Sequence, residues 1–297
     1  MIRSILEIAT PYLLAAIGGL YTELSGVLNI SLEGLMLIGA FTAIIGAYFT
    51  GSIAIGILGA LVAGICAGFI VYVFTSKLKA NLFIVGLAIN LLAVGAIGLV
   101  STAIFGTKGV IALPEARGIP VSHIASIHDV PVIGEVLSGH SALTYLAWLF
   151  GLLTFWVVRS SHFGIGLRAT GFNSHLVRSK GKNPQVFKLF ALIISGMAAA
   201  IGGAALSLDL AGYVPNMSAG RGWIALVAIY LGRRSPAGVC AACLLFASSE
   251  FLATSAQGWF NVPRTITLAI PYVITLVVLT FFGILRSRRG LPPGSSG

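Results

Sequence analysis

The 297 residues are 57% hydrophobic and 9% charged, with a mean hydropathy of +1.01, whereas an ordinary globular domain carries about 25% charge. That excludes a soluble enzyme and implies an all-α polytopic membrane protein, a single transmembrane domain over residues 1–297 built on about nine apolar stretches of the ~20 residues that cross a bilayer. A net charge of +10 raises nucleic acid as a partner, but membrane topology accounts for the placement of the charges.

The hydropathy predicts spans at 4–22, 27–50, 52–75, 82–104, 141–158, 188–208, 221–232, 237–256 and 265–285, the seventh conspicuously short. Continuous runs such as 52–74 (SIAIGILGALVAGICAGFIVYVF) lack the alternation of a transmembrane barrel. Backbone groups in lipid must be satisfied within their own segment, so the runs are read as helices. The first span carries one basic residue, Arg3, and no small-residue cleavage site; it reads as a retained helix rather than a signal peptide.

Within the second span, 25–34 (SGVLNISLEG) places Gly26, Asn29, Ser31, Glu33 and Gly34 in an apolar run. This predicts a broken or re-entrant helix, which a membrane tolerates only against protein or a cavity. In the third, Gly64 and Gly68 form a GxxxG suited to close helix packing. Asn90 in the fourth is either interhelical glue or part of a polar path, as are Ser248 and Ser249 in the eighth.

Residues 105–140 are expected as an extracytoplasmic loop, with Pro114, Pro120, Pro131, His123, His128, His140, Asp129 and Glu135. Their spacing matches no ligand motif, so a solvated lid over the outer mouth is preferred to a metal site. The loop 159–187 (RSSHFGIGLRATGFNSHLVRSKGKNPQVF) has five basic residues, no acidic one, and a stretch able to form a short helix before Gly181. It reads as a solvated cytoplasmic loop or, more sharply, as a docking element for a soluble partner. A second break, 212–222 (GYVPNMSAGRG), precedes the short seventh span. Two interrupted segments in corresponding parts of two halves point to a translocation site.

A charge at the bilayer centre costs ~2.5–3.5 kcal/mol on the insertion scale, so Glu33 and Glu250, the deepest carboxylates, must face protein or water. Glu7, Glu23 and Asp209 lie nearer predicted ends. Cys240 and Cys243 are a CxxC by spacing alone, without a βαβ context or partner histidine, and are assigned to helix packing. Orientation follows from basic residues. Lys77, Lys79, Arg159, Arg168, Arg178, Lys180, Lys182, Lys188, Arg233, Arg234, Arg286, Arg288 and Arg289 fall on one side, against Arg3, Lys108, Arg117, Arg221 and Arg264 on the other. The first set is expected in the cytoplasm, with the N-terminus outside and a Pro/Gly/Ser-rich, disordered tail at 290–297 inside.

Four blocks carry a family resemblance: 18–40 (GGLYTELSGVLNISLEGLMLIGA), 86–92 (GLAINLL), 163–181 (FGIGLRATGFNSHLVRSKG), and 219–283, which begins AGRGWIALVAIYLGRRSPAG and includes Pro271 and Tyr272. In content and order they resemble the permease subunits of ABC importers of the branched-chain amino acid, ribose and nucleoside group, the nucleoside branch above all. The third block is similar to that family's coupling segment, and Arg168, Ala169, Gly171, Asn173, His175, Arg178, Lys180 and Gly181 are its expected contacts to an ATPase. Phe172 stands where the family has an acidic residue, Ser174 for a proline, and Leu176 and Val177 for paired alanines, which implies a more hydrophobic docking surface.

The resemblance implies an ABC importer permease fold in a bacterial inner membrane. It also implies a second permease subunit forming a heterodimer, two ATP-binding subunits and an extracytoplasmic substrate-binding protein. Substrate would pass Asn29, Ser31, Glu33, Asn90, Trp223 and Glu250. The sequence contains no GxxxxGK[ST], so ATP and Mg are expected on the partners, with no cofactor, metal or catalytic residue in this chain. Nucleosides are the first expectation for cargo and riboflavin the second, followed by sugars and branched-chain amino acids. An ion-coupled secondary carrier would also accommodate the membrane carboxylates and the broken segments; a companion ATPase distinguishes the two.

Overall fold

The computed structural model describes residues 1–113, 119, 121–122, 138–260 and 280. The ninth predicted span, the tail 290–297, the prolines, histidines and carboxylates at 114–137, and Arg264, Pro271, Tyr272, Arg286, Arg288 and Arg289 lie outside the described residues, apart from the helical Thr280.

The helices are α1 (Ile2–Leu24), α2 (Leu32–Thr50), α3 (Ile53–Tyr72) continued by a π-turn (Val73–Lys77), α4 (Leu82–Phe105), α5 (Ala142–Ser160), α6 (His162–Phe172), α7 (Ser174–Ser179), α8 (Pro184–Asp209), α9 (Arg221–Leu231) and α10 (Pro236–Phe260). Among the described residues seven helices are long and apolar enough to cross a membrane. The expected seventh span is corrected: α9 has 11 residues, ~16 Å of helix, about half of the ~30 Å hydrocarbon core. Its start is fixed by the left-handed Gly220 at φ 83°, and its end by the turn at 232–235. The second span is likewise shortened, because the chain from Ser25 to Ser31 is not helical and α2 begins at Leu32.

The core is organised around α8, which packs against α1, α2 and α3. Small residues allow the backbones to meet. A Cβ on Gly64 would stand 2.5 Å from the Gly196 carbonyl oxygen, and one on Gly68 2.5 Å from that of Leu192. Gly203 and Gly39 of the facing helices do the same between α8 and α2. Lipid tails are as apolar as leucine, so van der Waals contact at this range is what holds such helices together. By contrast α4 packs chiefly on α2 and presents Leu91, Leu92, Val94 and Leu99 outward.

The helices leave two distinct ends. At one, Arg234 pairs with Glu23 at 2.8 Å and α6, α7 and the start of α8 gather the basic residues. At the other, the strands β1 (Ile111–Ala112) and β4 (Gly212–Tyr213) pair antiparallel, as do β2 (Val121–Ser122) and β3 (His140–Ser141). Tyr48 meets Phe105 there at 5.0 Å and Phe41 meets Tyr213 at 5.2 Å. Glu7 bonds Arg3 at 3.0 Å and approaches His140 Nδ1 at 3.7 Å.

Candidate functional site

The two breaks expected from sequence meet each other halfway through the helical layer. From the basic end the amides of Ser25, Gly26 and Val27 close the last turn of α1; beyond them the chain 28–30 climbs outside any helix, so its polar backbone groups need other partners. Side chains supply them. Asn29 Oδ1 accepts from the Ser31 amide at 3.1 Å and from its hydroxyl at 2.5 Å, while Asn29 Nδ2 donates to Ser195 Oγ on α8 at 2.9 Å. Asn90 of α4 donates to the Ile30 carbonyl at 3.0 Å and accepts from the Gly34 amide at 2.8 Å. Asn90 lies ~12 Å along α4 from its basic end and Ser195 ~16 Å along α8, which puts the junction near mid-depth.

From the opposite end, 214–220 descends to the same level, where α9 begins. Glu33, in the first turn of α2, reaches across to it. Its Oε1 accepts from Ser218 Oγ at 2.5 Å and the Gly220 amide at 2.9 Å, and its Oε2 from the Gly222 amide at 2.7 Å. The N-termini of α2 and α9 therefore abut, and a Cβ on Gly222 would stand 2.4 Å from the Glu33 nitrogen. Each helix start carries roughly half a positive charge and unpaired amides. One carboxylate between them neutralises both.

Beside this junction Arg221 forms an ion pair with Glu250 of α10. Glu250 Oε2 also accepts from the Tyr12 hydroxyl of α1 at 2.5 Å, and the Arg221 guanidinium lies 5.8 Å from the Tyr12 ring centre. Counted from sequence among the residues of the loops opposite the basic end, Arg221 instead sits in the first turn of α9 as the counterion of Glu250. Asn29, Ser31, Glu33 and Asn90 are all buried and bonded within the chain, whereas Trp223, one turn into α9, is 37% exposed.

The second assembly is at the basic end. Asn173 separates α6 from α7, its side chain accepting from the His175 amide at 3.0 Å and the Leu176 amide at 3.2 Å. The single short helix expected before Gly181 is thus a pair of helices with a capped elbow, closed by Gly181 at φ 74°. Gly166 lets α6 lie on Phe187 at the base of α8, and Phe163 packs on the same ring at 6.0 Å. Arg168, His175, Arg178 and Lys180 are exposed, Ala169 is half-buried, and Phe172 projects with 91% exposure. Between the two helices Ile165, Ala169 and Leu176 line a cavity of ≈ 250 Å³ with Lys180 and Lys182 at its rim.

Sequence reasoning singled out Glu33 and Glu250 but missed the groups that satisfy them. Gly220 and Gly222 act through backbone amides, which leave no residue-type signal; Ser195 and Ser218 are two serines among many. Arg221 was accessible: a basic residue opening a span too short to cross must be counterbalanced nearby. Among the described residues no group of three or more His, Cys, Asp or Glu is arranged to hold a metal ion.

Comparison with known proteins agrees with this architecture. The sequence is 29% identical over 293 residues to the guanosine ABC transporter permease protein NupQ of Bacillus subtilis, covering 95% of this chain and 91% of that protein. It is 29% identical over 298 residues to the nucleoside ABC transporter permease protein NupC of Lactococcus lactis, covering 95% and 92%. PsaBC from Streptococcus pneumoniae, solved in complex with Fab, superposes with a TM-score of 0.51 at 14% identity, over 93% of this chain and 89% of that one. At that identity the likeness concerns the fold alone. Residues 1–279 match the family described as the permease component of branched-chain amino acid transport systems, and the chain belongs to that family of membrane-embedded transporter subunits.

Proposed function

We propose that this chain is the translocating subunit of an ATP-driven nucleoside importer in a bacterial inner membrane, with its basic end in the cytoplasm. The observation that carries the reading is the near full-length likeness to permease proteins named for guanosine and for nucleosides, joined to an exposed, basic helical elbow at one end of the bundle. An ABC permease of this family works with ATP-binding subunits and a substrate-binding protein. Arg168, His175, Arg178 and Lys180 would hold the ATP-binding subunits by charge, with Phe172 entering an apolar recess on their surface. The second membrane subunit would be a different permease, and the path would run along the interface of the two.

The hydrogen bonding supports the following roles along that path. Glu33, Asn29, Ser31 and Asn90 have their hydrogen-bonding capacity directed into the protein, so they shape the path from behind. Trp223 offers an open aromatic face at the level of the junction, suited to stacking on a nucleobase. Base–aromatic stacking contributes about 1–3 kcal/mol, so Trp223→Ala should lower uptake roughly tenfold.

In vesicles holding the assembled importer and ATP, labelled guanosine should accumulate, vanadate should stop it, and an ionophore should not. Excess unlabelled nucleosides should compete, while riboflavin, glucose and leucine should not. Accumulation that survives vanadate and collapses with the ionophore would establish an ion-coupled carrier instead. Competition by riboflavin or a sugar would reassign the cargo. Arg168→Glu with Arg178→Glu should abolish both uptake and stimulated ATP hydrolysis, and survival of both would remove the elbow from the docking surface.

A further inference from the structure

Resting on the reading that α6 and α7 dock the ATP-binding subunits, we propose that Gly171 is a positioning residue that passes their motion to the mid-membrane junction through its backbone contact with Leu24 and Gly26. A Cβ on Gly171 would stand 2.3 Å from the Leu24 carbonyl oxygen and 3.0 Å from the Gly26 nitrogen, and one on Gly26 would stand 3.1 Å from the Gly171 Cα. Main chain therefore lies on main chain. No side-chain rotamer intervenes to absorb a displacement of the elbow. Of the other close seats of α6, Gly164 rests on the main chain of Val157 and Val158 in α5, the helix that leads directly into α6, and Gly166 on the Phe187 ring ends on a side chain that can rotate or tilt; the contact of Gly171 is the one that reaches the unwound segment.

What Gly171 touches is the root of the unwound segment. Gly26 sits at φ 79° just after the Ser25 cap of α1, and between the Val27 amide, bonded to Thr22, and the Ser31 carbonyl, bonded to Leu35, the stretch 28–30 has no helical ladder to hold it to its own neighbours. Its far part is bolted to three other helices: to α8 through Asn29 and Ser195, to α4 through Ile30, Gly34 and Asn90, and to α9 through Glu33. A shift at Gly26 thus reaches α4, α8 and the start of α9 within eight residues of chain. Such a segment has the requirements of a two-state element biased from one end. Both glycines also keep part of their surface open to solvent, so the contact lies at the rim of the fold and not in its core.

The test uses the complete transporter, captured through a tag on this chain, with Gly171→Ala compared against wild type and Gly51→Ala. Gly51, which follows α2 at the opposite end, has a left-handed φ of 66° but nothing within 4 Å of an added Cβ, which makes it a control for a glycine-to-alanine change that touches no other element. Gly171→Ala should retain the ATP-binding subunits and hydrolyse ATP, yet carry roughly ten- to hundredfold less substrate per ATP consumed; Gly51→Ala should keep the wild-type ratio. Hydrogen exchange gives a second readout: in wild type the amides of 25–31 should change protection between nucleotide-free and ATP-bound states. If Gly171→Ala does not accumulate, that exchange decides, a change supporting the relay and none overturning it. Retained subunits with an unchanged transport ratio in Gly171→Ala overturn the relay alone. Failure of the wild-type chain to retain any ATP-binding subunit overturns the docking reading and the relay with it.

Discussion

Glu33 and Glu250 both act on the first turn of α9, and they are made tolerable there by different physics. Glu250 is matched by a formal charge, Arg221, with a phenol on its second oxygen. Glu33 has no basic side chain among the hydrogen-bond partners of its carboxylate and is held by a hydroxyl and two backbone amides at the head of a helix. A carboxylate within a membrane thus does not by itself announce a substrate or proton site. The question is whether its acceptor capacity is already spent, and by what.

The contrast is sharpest where a charge is removed and its partner is left behind. Glu250→Gln leaves the Arg221 charge uncompensated in a low-dielectric setting, with only neutral groups such as the Met217 carbonyl and the Tyr12 hydroxyl beside it. Breaking a buried pair in this one-sided way costs about 3–5 kcal/mol, so the variant should be recovered from membranes at far lower yield and denature at a much lower concentration of denaturing detergent. Replacing both partners, Arg221→Met with Glu250→Gln, should recover most of the loss, because nothing ionised remains to be solvated. A double variant as damaged as the single would show that the pair contributes more than neutrality.

Glu33 should respond less to the same chemical change. Glu33→Gln keeps one acceptor oxygen but turns an amide NH₂ toward a backbone donor and removes the charge from between two helix starts. An unsatisfied buried donor costs about 1–3 kcal/mol, and loss of a favourable charge at a helix start adds up to ~2 kcal/mol. The expected loss in unfolding free energy is therefore about 2–4 kcal/mol, less than for Glu250→Gln and with no arginine variant able to rescue it. A Glu33→Gln protein as stable as wild type would mean that the amides of α9 find water, and that the junction is wetter than its burial implies.

How far this pair was legible from sequence follows from the same distinction. Hydropathy located the long helices within a few residues, because an apolar run of about 20 has few other fates. The breaks were legible too, since Gly26, Asn29, Ser31 and Glu33 cannot be excused within a lipid-facing run. That the two breaks face each other was not, because the link is between a side chain and main-chain groups 187 and 189 residues away. The GxxxG at Gly64 and Gly68 showed that α3 would be approached closely; only the fold reveals Gly196 and Leu192 as the approaching backbone. The elbow at 162–179 was legible as basic and helical, but its seat on Gly26 was not, for glycine against glycine carries no complementary chemistry to read.

The smallest expected effect tests whether the carboxylate or its neighbours hold the junction. Ser218 donates to Glu33 Oε1, which the Gly220 amide also serves, so Ser218→Ala removes one of three donors and leaves no buried group of its own unsatisfied. The expected cost is about 1 kcal/mol, visible as a modest shift in the unfolding midpoint with transport nearly unchanged. In a Glu33→Gln background the same substitution should cost clearly less, because the acceptor it served has already lost its charge; the difference between the two costs is the coupling between Ser218 and the carboxylate. Equal costs in both backgrounds would mean that Ser218 stabilises its own loop, and that α9 is anchored to α2 by the Gly220 and Gly222 amides alone.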